Sequence, residues 1–410
     1  MSEAAPWLSD LEPEEDRPMD MAPTLVLFGA AAIGIAALSL QLAVLWLHLR
    51  GPRATPRTTP AISILKPLCG VDDHLEENLA SFAAIDWPHF EVVLGVRSPS
   101  DSAYPLARAA VRRWPGRFRV VLQRGAPGMN PKVNQLLTLA RAARHDLLVI
   151  SDSNVRVEPG YLAEIAALLE DESVGMVTHP ISAQGEARVG SLMDHLHLTG
   201  SVTPSIVASK RLGIRDIVVG KSMAMRRSDL EAMGGFESVV NVLAEDYVMG
   251  RMVSTVLGKR VAMARTPVRN VSARRTLRDF AGRYRRWGVL QRHAVGRLTY
   301  SSFAFLNPIP LAAAGAAVAH SDVALAALAA TCAAKIALDG AAARMLRPGG
   351  FHVRQLALVP LKDLVFGACW AFGLLCNEVA WRGTKIVVGP GTRIEAPEGE
   401  PLAEPEISAA

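Results

Sequence analysis

Between two apolar regions, residues 61–300 read as an α/β domain with a mostly parallel sheet and helices on both faces. Three observations predict it. Short β-branched runs alternate with segments of helical apolar period. Lys66, the stretch from Arg97 to Asp101, and Asp152 fall just after such runs, where open parallel sheets bind ligands. The chain has 410 residues of which 50% are hydrophobic, and its mean hydropathy is +0.21, so apolar flanks are available to enter a membrane.

Residues 1–20 are acidic and contain proline, which predicts a disordered tail. From Thr24 to Leu49 the chain is apolar and uncharged, long enough to cross a bilayer, and the span is placed at 21–50. An acidic preceding region and a long apolar run argue against a cleaved signal peptide. Arg50, Arg53 and Arg57 follow, so by the positive-inside bias the next segment starts in the cytoplasm, at a cytoplasmic (inner) membrane. Residues 51–60, rich in Pro and Thr, form a linker.

Within 61–300, strands are expected at Ala61–Leu65, Phe90–Val96, Phe118–Leu122, Asp146–Ile150 and Val174–His179. Helices are expected at Leu75–Ile85, Tyr104–Trp114, Pro131–Ala143 and Tyr161–Leu169. After Tyr300 the chain turns apolar again, and residues 301–386 are assigned to membrane-embedded or interfacial helices. Ser302–Ala319 and Val323–Ala342 read as two spans or a helical hairpin. Gln355–Leu364 carries Lys362 and Asp363 and is expected to lie along the interface, while Val365–Trp381 is short for a span. Residues 387–410 are expected to be a disordered tail.

Charged residues make up 20% of the chain and the net charge is +5. Its distribution matters more: ten arginines fall between Arg265 and Arg297 against one acid, Asp279. Such a run beside a span faces anionic lipid or solvent, or binds substrate phosphates. It carries few aromatics and no nucleic-acid module, so no nucleic acid is expected as a partner. The four cysteines, Cys69, Cys332, Cys369 and Cys376, form no CxxC pair and imply neither a disulfide framework nor a zinc site.

Each candidate residue has a chemical and a structural reading. Asp152, in Ser151-Asp-Ser-Asn154, ends a buried strand. It either coordinates Mg²⁺ or Mn²⁺ bridging a nucleotide diphosphate, or forms and caps a turn. Asp101 by itself is a loop acid. Asn130-Pro-Lys132 reads as a helix start, where backbone N–H groups and Lys132 attract an anion or simply cap. Asp246, in Ala244-Glu-Asp-Tyr247, either opens a helix or deprotonates an acceptor hydroxyl. The scattered histidines read as structural. Gly220-Lys-Ser222 is too short for a phosphate loop. In Arg283-Tyr-Arg-Arg286-Trp287, next to apolar segments, the arginines suit a pyrophosphate leaving group through forked hydrogen bonds. That combination points to sugar-nucleotide chemistry at a membrane surface.

Read in order, the segments resemble the ceramide glucosyltransferase family, family 21 of the glycosyltransferases and close to family 2, with its bacterial hopanoid-associated relatives. The matching pieces are Ser63-Ile-Leu-Lys-Pro-Leu-Cys-Gly-Val-Asp72, Glu77-Asn-Leu79, Asp86-Trp-Pro88, Asn130-Pro-Lys-Val-Asn134 and Ile150-Ser-Asp-Ser-Asn-Val-Arg-Val157. Gly220-Lys-Ser-Met-Ala-Met-Arg226, Gly234-Gly-Phe236, Ala244-Glu-Asp-Tyr-Val-Met249, Arg283-x-x-Arg-Trp287, Pro360-Leu-Lys-Asp-Leu364 and Trp381-Arg-Gly383 follow. The resemblance implies a GT-A fold, a UDP-sugar donor, a divalent cation and inversion at the anomeric carbon. It implies Asp101 near the nucleotide, Asp152 at the metal and diphosphate, Asp246 as base, and Arg283, Arg286 and Trp287 at the diphosphate; Lys66 at a strand end and Lys132 at a helix start are expected, from their positions, as further donor contacts. Two departures stand out: Ser100-Asp101 replaces a pair of acids, and Asn154 stands where some relatives have a second Asp. The implied acceptor is a ceramide-like lipid. A hopanoid, a diacylglycerol or a polyprenyl phosphate is an alternative, as are a processive polysaccharide synthase and an inactive membrane scaffold.

Overall fold

Runs such as Phe-Glu-Val-Val-Leu-Gly-Val over Phe90–Val96 leave little polar surface for water, and they become interior strands. The computed structural model describes residues 21–395 apart from 215, 382 and 383. The expected tail at 1–20 and the part of the C-terminal tail beyond 395 lie outside the described residues. In chain order the strands are β1 (Ile62–Pro67), β2 (Phe90–Val96), β3 (Phe118–Leu122), β4 (Leu147–Ser151), β5 (Val155–Arg156), β6 (Val174–Thr178), β7 (Ile181–Gln184), β8 (Ser222–Arg226), β9 (Arg260–Met263) and β10 (Val268–Val271).

Among the described residues, seven strands form one sheet in the order β3-β2-β1-β4-β8-β6-β9. It is mostly parallel, as the alternation predicts; β8 alone runs antiparallel, against both β4 and β6. Successive side chains of each strand face opposite layers. Ile64, Val92 and Val149 meet Leu79, Phe82 and Ile165 on one side. Leu65, Val93 and Ile150 meet Val133, Leu136 and Val253 on the other. Each fully buried aliphatic side chain contributes about 1.5–3 kcal/mol. A second sheet, β5-β10-β7, lies beyond the end of β4.

Residues 387–395, expected to lie in a disordered tail, are ordered, and the segment from Glu378 expected among the helices is a strand. Glu378–Trp381 (β11), Thr384–Val388 (β12) and Ile394–Glu395 (β13) form an antiparallel sheet. Its apolar side chains Val379, Ile386, Val388 and Ile394 bury against Leu243 and Val289, which the tail's acidic composition conceals.

Three helices among the described residues are long and apolar enough to cross a membrane: Ala22–Arg50, Asp322–Leu346 and Val353–Leu375. The expected span from Ser302 is instead bent by 76° between Arg297–Leu306 and Pro308–Ala319. Gln355–Leu364 is not a separate interfacial piece. Lys362 and Asp363 are buried, and Lys362 Nζ lies 2.6 Å from Asp363 and 3.1 Å from Asp339. Lys335 pairs with Asp339 and Asp363. Two lysines and two aspartates thus neutralise one another between Asp322–Leu346 and Val359–Leu375, which removes the reason to keep this stretch in water.

Candidate functional site

Register brings the site together. In the parallel pair β1–β4, Leu65 lies level with Ile150, so Lys66 comes to the end of β4. Its buried ammonium donates to the Asp152 carbonyl oxygen at 2.6 Å and to Ser151 Oγ at 3.4 Å. Burial pushes this lysine down to about 7, against the pull of Asp152. In the antiparallel pair β4–β8, Ser151 lies opposite Ser222. The residue before β8, Lys221, is thereby carried to Asp152.

The Asp152 carboxylate is held from both sides. Lys132 Nζ lies 3.0 Å from Oδ1, and Lys221 Nζ lies 2.9 Å from Oδ2. Burial opposes the Asp152 charge, but Lys132 and Lys221 outweigh it and hold the carboxyl well below its usual range. Lys132 sits in the first turn of the helix Pro131–Ala142, whose N-cap Asn130 accepts from the Lys132 and Val133 N–H groups. Asn130 Nδ2 also donates to the Val242 carbonyl at 2.7 Å and to Glu245 at 3.3 Å. Lys132 itself reaches Glu245 Oε1 at 2.8 Å, so it joins the end of β4 to the start of the helix Glu245–Thr255.

Asp246 follows Glu245 in the first turn of that helix. Its Oδ1 accepts from the Tyr247 N–H at 2.8 Å. Burial and the neighbouring Glu245 charge push its carboxyl up to about 6, against Lys132. The C-terminal sheet braces this corner: the Leu243 N–H donates to the Thr392 carbonyl and the Ile394 N–H to the Asn241 carbonyl, both at 2.9 Å.

Arg283 lies in the helix Leu277–Val295, opened by a capping box between Thr276 and Asp279. Its guanidinium is stacked 4.5 Å over the Trp287 ring and lies 3.4 Å from buried Asp194, which also faces Arg275 at 3.4 Å and the Tyr284 hydroxyl at 2.8 Å. Arg286 is one turn on, on the same side. Arg283 and Arg275 both bear electrostatically on Lys221, depressing its affinity for a proton after burial has done so. This helix is clasped to the apolar helix Val359–Leu375 at Gly288 and Gly373, where a Cβ on Gly373 would lie 2.8 Å from the Gly288 carbonyl carbon.

Asp101 has other partners. Its Oδ1 accepts from the Gly70 N–H at 3.0 Å and the Ala103 N–H at 2.9 Å, ordering the loop that follows β1. Val71, Asp72 and Asp73 of that loop, with Asn154, Arg274 and Arg275, line a cavity of ≈ 260 Å³ beside the cluster.

The divalent cation expected at Asp152 meets side chains arranged for something else. Both carboxylate oxygens are paired with ammonium groups, and Lys221 Nζ also lies 2.8 Å from Asn154 Oδ1. No group of three His, Cys, Asp or Glu side chains converges among the described residues. Asp152 and Asn154 are already shared with lysine, and Asp72, which accepts from the Ser153 hydroxyl beside them, completes no ligand group with them, so the side chains as placed do not fit a resident divalent ion. Lys221, Arg275 and Asp194 were not singled out by the sequence. For Lys221 the signal was present in Gly220-Lys-Ser222, but it acts from the start of a strand rather than in a phosphate loop.

The chain is similar to ceramide glucosyltransferase 1 of Caenorhabditis elegans, at 30% identity over 232 residues, 56% of this chain and 49% of that protein. It is similar to the ceramide glucosyltransferase of Komagataella phaffii, at 28% identity over 198 residues, 43% of this chain and 39% of that protein. The chain thus spans about half the length or less of these curated relatives. Among solved structures it is similar to the mannosyltransferase PcManGT of Pyrobaculum calidifontis in complex with GDP-Man and Mn²⁺, with a TM-score of 0.46 and 21% identity, covering 87% of this chain and 97% of that one. The family model described as Glycosyl transferase family 21 matches residues 26–394, nearly the whole of what is described, and the chain belongs to that family.

Proposed function

We propose that the protein is a membrane-bound inverting hexosyltransferase of GT-A type that moves a sugar from a UDP-sugar to the hydroxyl of a lipid, with a ceramide-like acceptor. One observation carries this reading: Lys132 links Asp152 to Glu245, placing the raised-pKa carboxyl of Asp246 within the field of a lysine cluster. Such an arrangement supplies a base and cationic support for a departing diphosphate in one place. Family membership and the names of the curated relatives support the sugar and lipid classes.

In the transfer, the lipid oxygen forms its bond to the anomeric carbon as the bond from that carbon to the UDP oxygen breaks. Asp246 takes the hydroxyl proton, and the electron pair leaves with UDP. One displacement inverts an α-linked donor to a β-linked product. Lys66, Lys132, Arg283 and Arg286 surround the diphosphate, Asp152 orients Lys132, and Trp287 holds Arg283 flat. Electrostatic support of departing UDP is the largest contribution. Asp101 acts through the loop after β1. An Mg²⁺ or Mn²⁺ ion at Asp152 would have to displace Lys221. The close approach of Gly288 and Gly373 supports a domain held against the membrane, and the positive-inside bias of Arg50, Arg53 and Arg57 supports the cytoplasmic side of an inner membrane.

The test is lipid extraction from cells with and without the protein, followed by mass spectrometry. A new hexosylated sphingolipid is expected. A hexosylated hopanoid, diacylglycerol or polyprenyl phosphate would move the acceptor, and no new glycolipid would overturn the reading.

A further inference from the structure

Between the helix Leu277–Val295 and the apolar helix Val359–Leu375 lies a small cavity of ≈ 20 Å³, with Trp287 from the first helix and Phe366 and Trp370 from the second in its walls. It has room for about one water-sized group. No Asp, Glu, Lys or Arg lines it. One wall therefore belongs to the element that carries Arg283, stacked on Trp287, and the other to a helix apolar enough to meet hydrocarbon. His197 and Val202 close it from a third side. In an α-helix two residues five apart lie on different sides. Here the intervening turn, Leu198–Val202, is a π-helix, whose i→i+5 closure brings His197 and Val202 back to one side.

His197 is 4% exposed, and its ring packs 4.1 Å from Phe366 and 4.6 Å from Tyr284. Neither ring nitrogen has a hydrogen-bond partner among the described residues, and Nδ1 is fully enclosed without one. Buried polar groups are ordinarily paired, so this one has a partner to find. The other buried polar side chains of the cavity are spent. The Tyr284 hydroxyl donates to Asp194 at 2.8 Å, and the Tyr300 hydroxyl to the Trp370 carbonyl at 3.0 Å. Burial first, and the charges of Lys362, Lys335 and Arg283 after it, hold His197 well below its usual range. A neutral imidazole has one donor and one acceptor nitrogen, which suits a hydroxyl or an amide rather than a phosphate.

We propose that this slot binds a neutral polar group of the acceptor lipid, a hydroxyl or an amide, with His197 as its hydrogen-bonding partner and the lipid tail lying along Val359–Leu375. The proposal rests on the lipid glycosyltransferase reading above, and among its acceptors it selects the neutral ones over a polyprenyl phosphate.

The experiment is titration of the full chain in detergent with a short-chain ceramide, read by tryptophan fluorescence, with UDP binding measured beside it by calorimetry. Two variants divide the outcomes. His197→Phe keeps a ring between Tyr284 and Phe366 and removes both nitrogens. His197→Asn removes the ring and keeps a donor and an acceptor. Ceramide binding is expected to weaken about 3- to 10-fold in His197→Phe, the size of one neutral hydrogen bond, and to recover toward wild type in His197→Asn. UDP binding is expected to stay unchanged in both. Undiminished ceramide binding by His197→Phe means that the slot holds a structural water only, and overturns the proposal. Equal loss in both variants shows that ring packing is being read, and overturns it too. Wild-type protein that binds UDP but no ceramide overturns the slot and leaves the transferase reading intact. Wild-type protein that binds neither overturns that reading as well. Should His197→Phe fail to fold, His197→Leu takes its place.

Discussion

Gly220 and Asp246 are packed so closely that no side chain larger than hydrogen fits between them. A Cβ on Gly220 would lie 2.3 Å from Asp246 Oδ2 and 2.9 Å from its Cγ. The residue before Lys221 thus sets the position of the proposed base. Gly220→Ala is expected to push the Asp246 carboxyl aside and to lower transfer by about 100-fold, the cost of roughly 1 Å of misplacement at a reacting group. Initial rates on membranes carrying equal amounts of folded protein check it.

Asp246→Asn keeps the shape and removes the base. Transfer is expected to fall by about 10²–10⁴-fold, the usual weight of general base catalysis. UDP binding is expected to stay close to wild type, because the lysines and arginines are untouched. Wild-type-like turnover in this variant would refute the role.

The pH profile follows from the same group. The Asp246 carboxyl is raised to about 6, by burial first and the Glu245 charge second. A base works deprotonated, so kcat/KM is expected to be full above this value and to fall as pH drops through it. Glu245→Gln removes a like charge and lowers the Asp246 value, so the acid limb is expected to move to lower pH. A limb that stays in place, or moves up, in Glu245→Gln would show that another group titrates.

Asp194→Ala leaves Arg283 and Arg275 buried or half-buried without their shared carboxylate. Removing one partner of a buried pair costs about 3–5 kcal/mol. A lower thermal unfolding midpoint in detergent is expected, together with weaker UDP binding as Arg283 loses its anchor. An unchanged midpoint would show that Asp194 does not hold this helix.

Much of the domain was legible where local chemistry and long-range packing agree. Phe90–Val96, Phe118–Leu122 and Tyr161–Leu169 have the limits that their apolar runs predict. Asn130-Pro131 announced a capped helix and so the position of Lys132. The strand Ser222–Arg226 was not legible, because Ser-Met-Ala-Met-Arg has no β-branched residue and becomes a strand only by filling the gap between β4 and β6. With it went Lys221, whose role depends on antiparallel register with Ser151. Lys362 and Asp363 looked interfacial because the charges that neutralise them lie on another helix.

That four-membered charge cluster also constrains how the chain is made. Asp322–Leu346 and Val359–Leu375 each carry one lysine–aspartate pair of their own, and each pair costs less in hydrocarbon once the other helix's charges face it. The first helix therefore gains from staying sheltered until synthesis delivers the second. Pairing of the two helices is favoured as soon as both are made, and the loop that joins them sets how soon they meet.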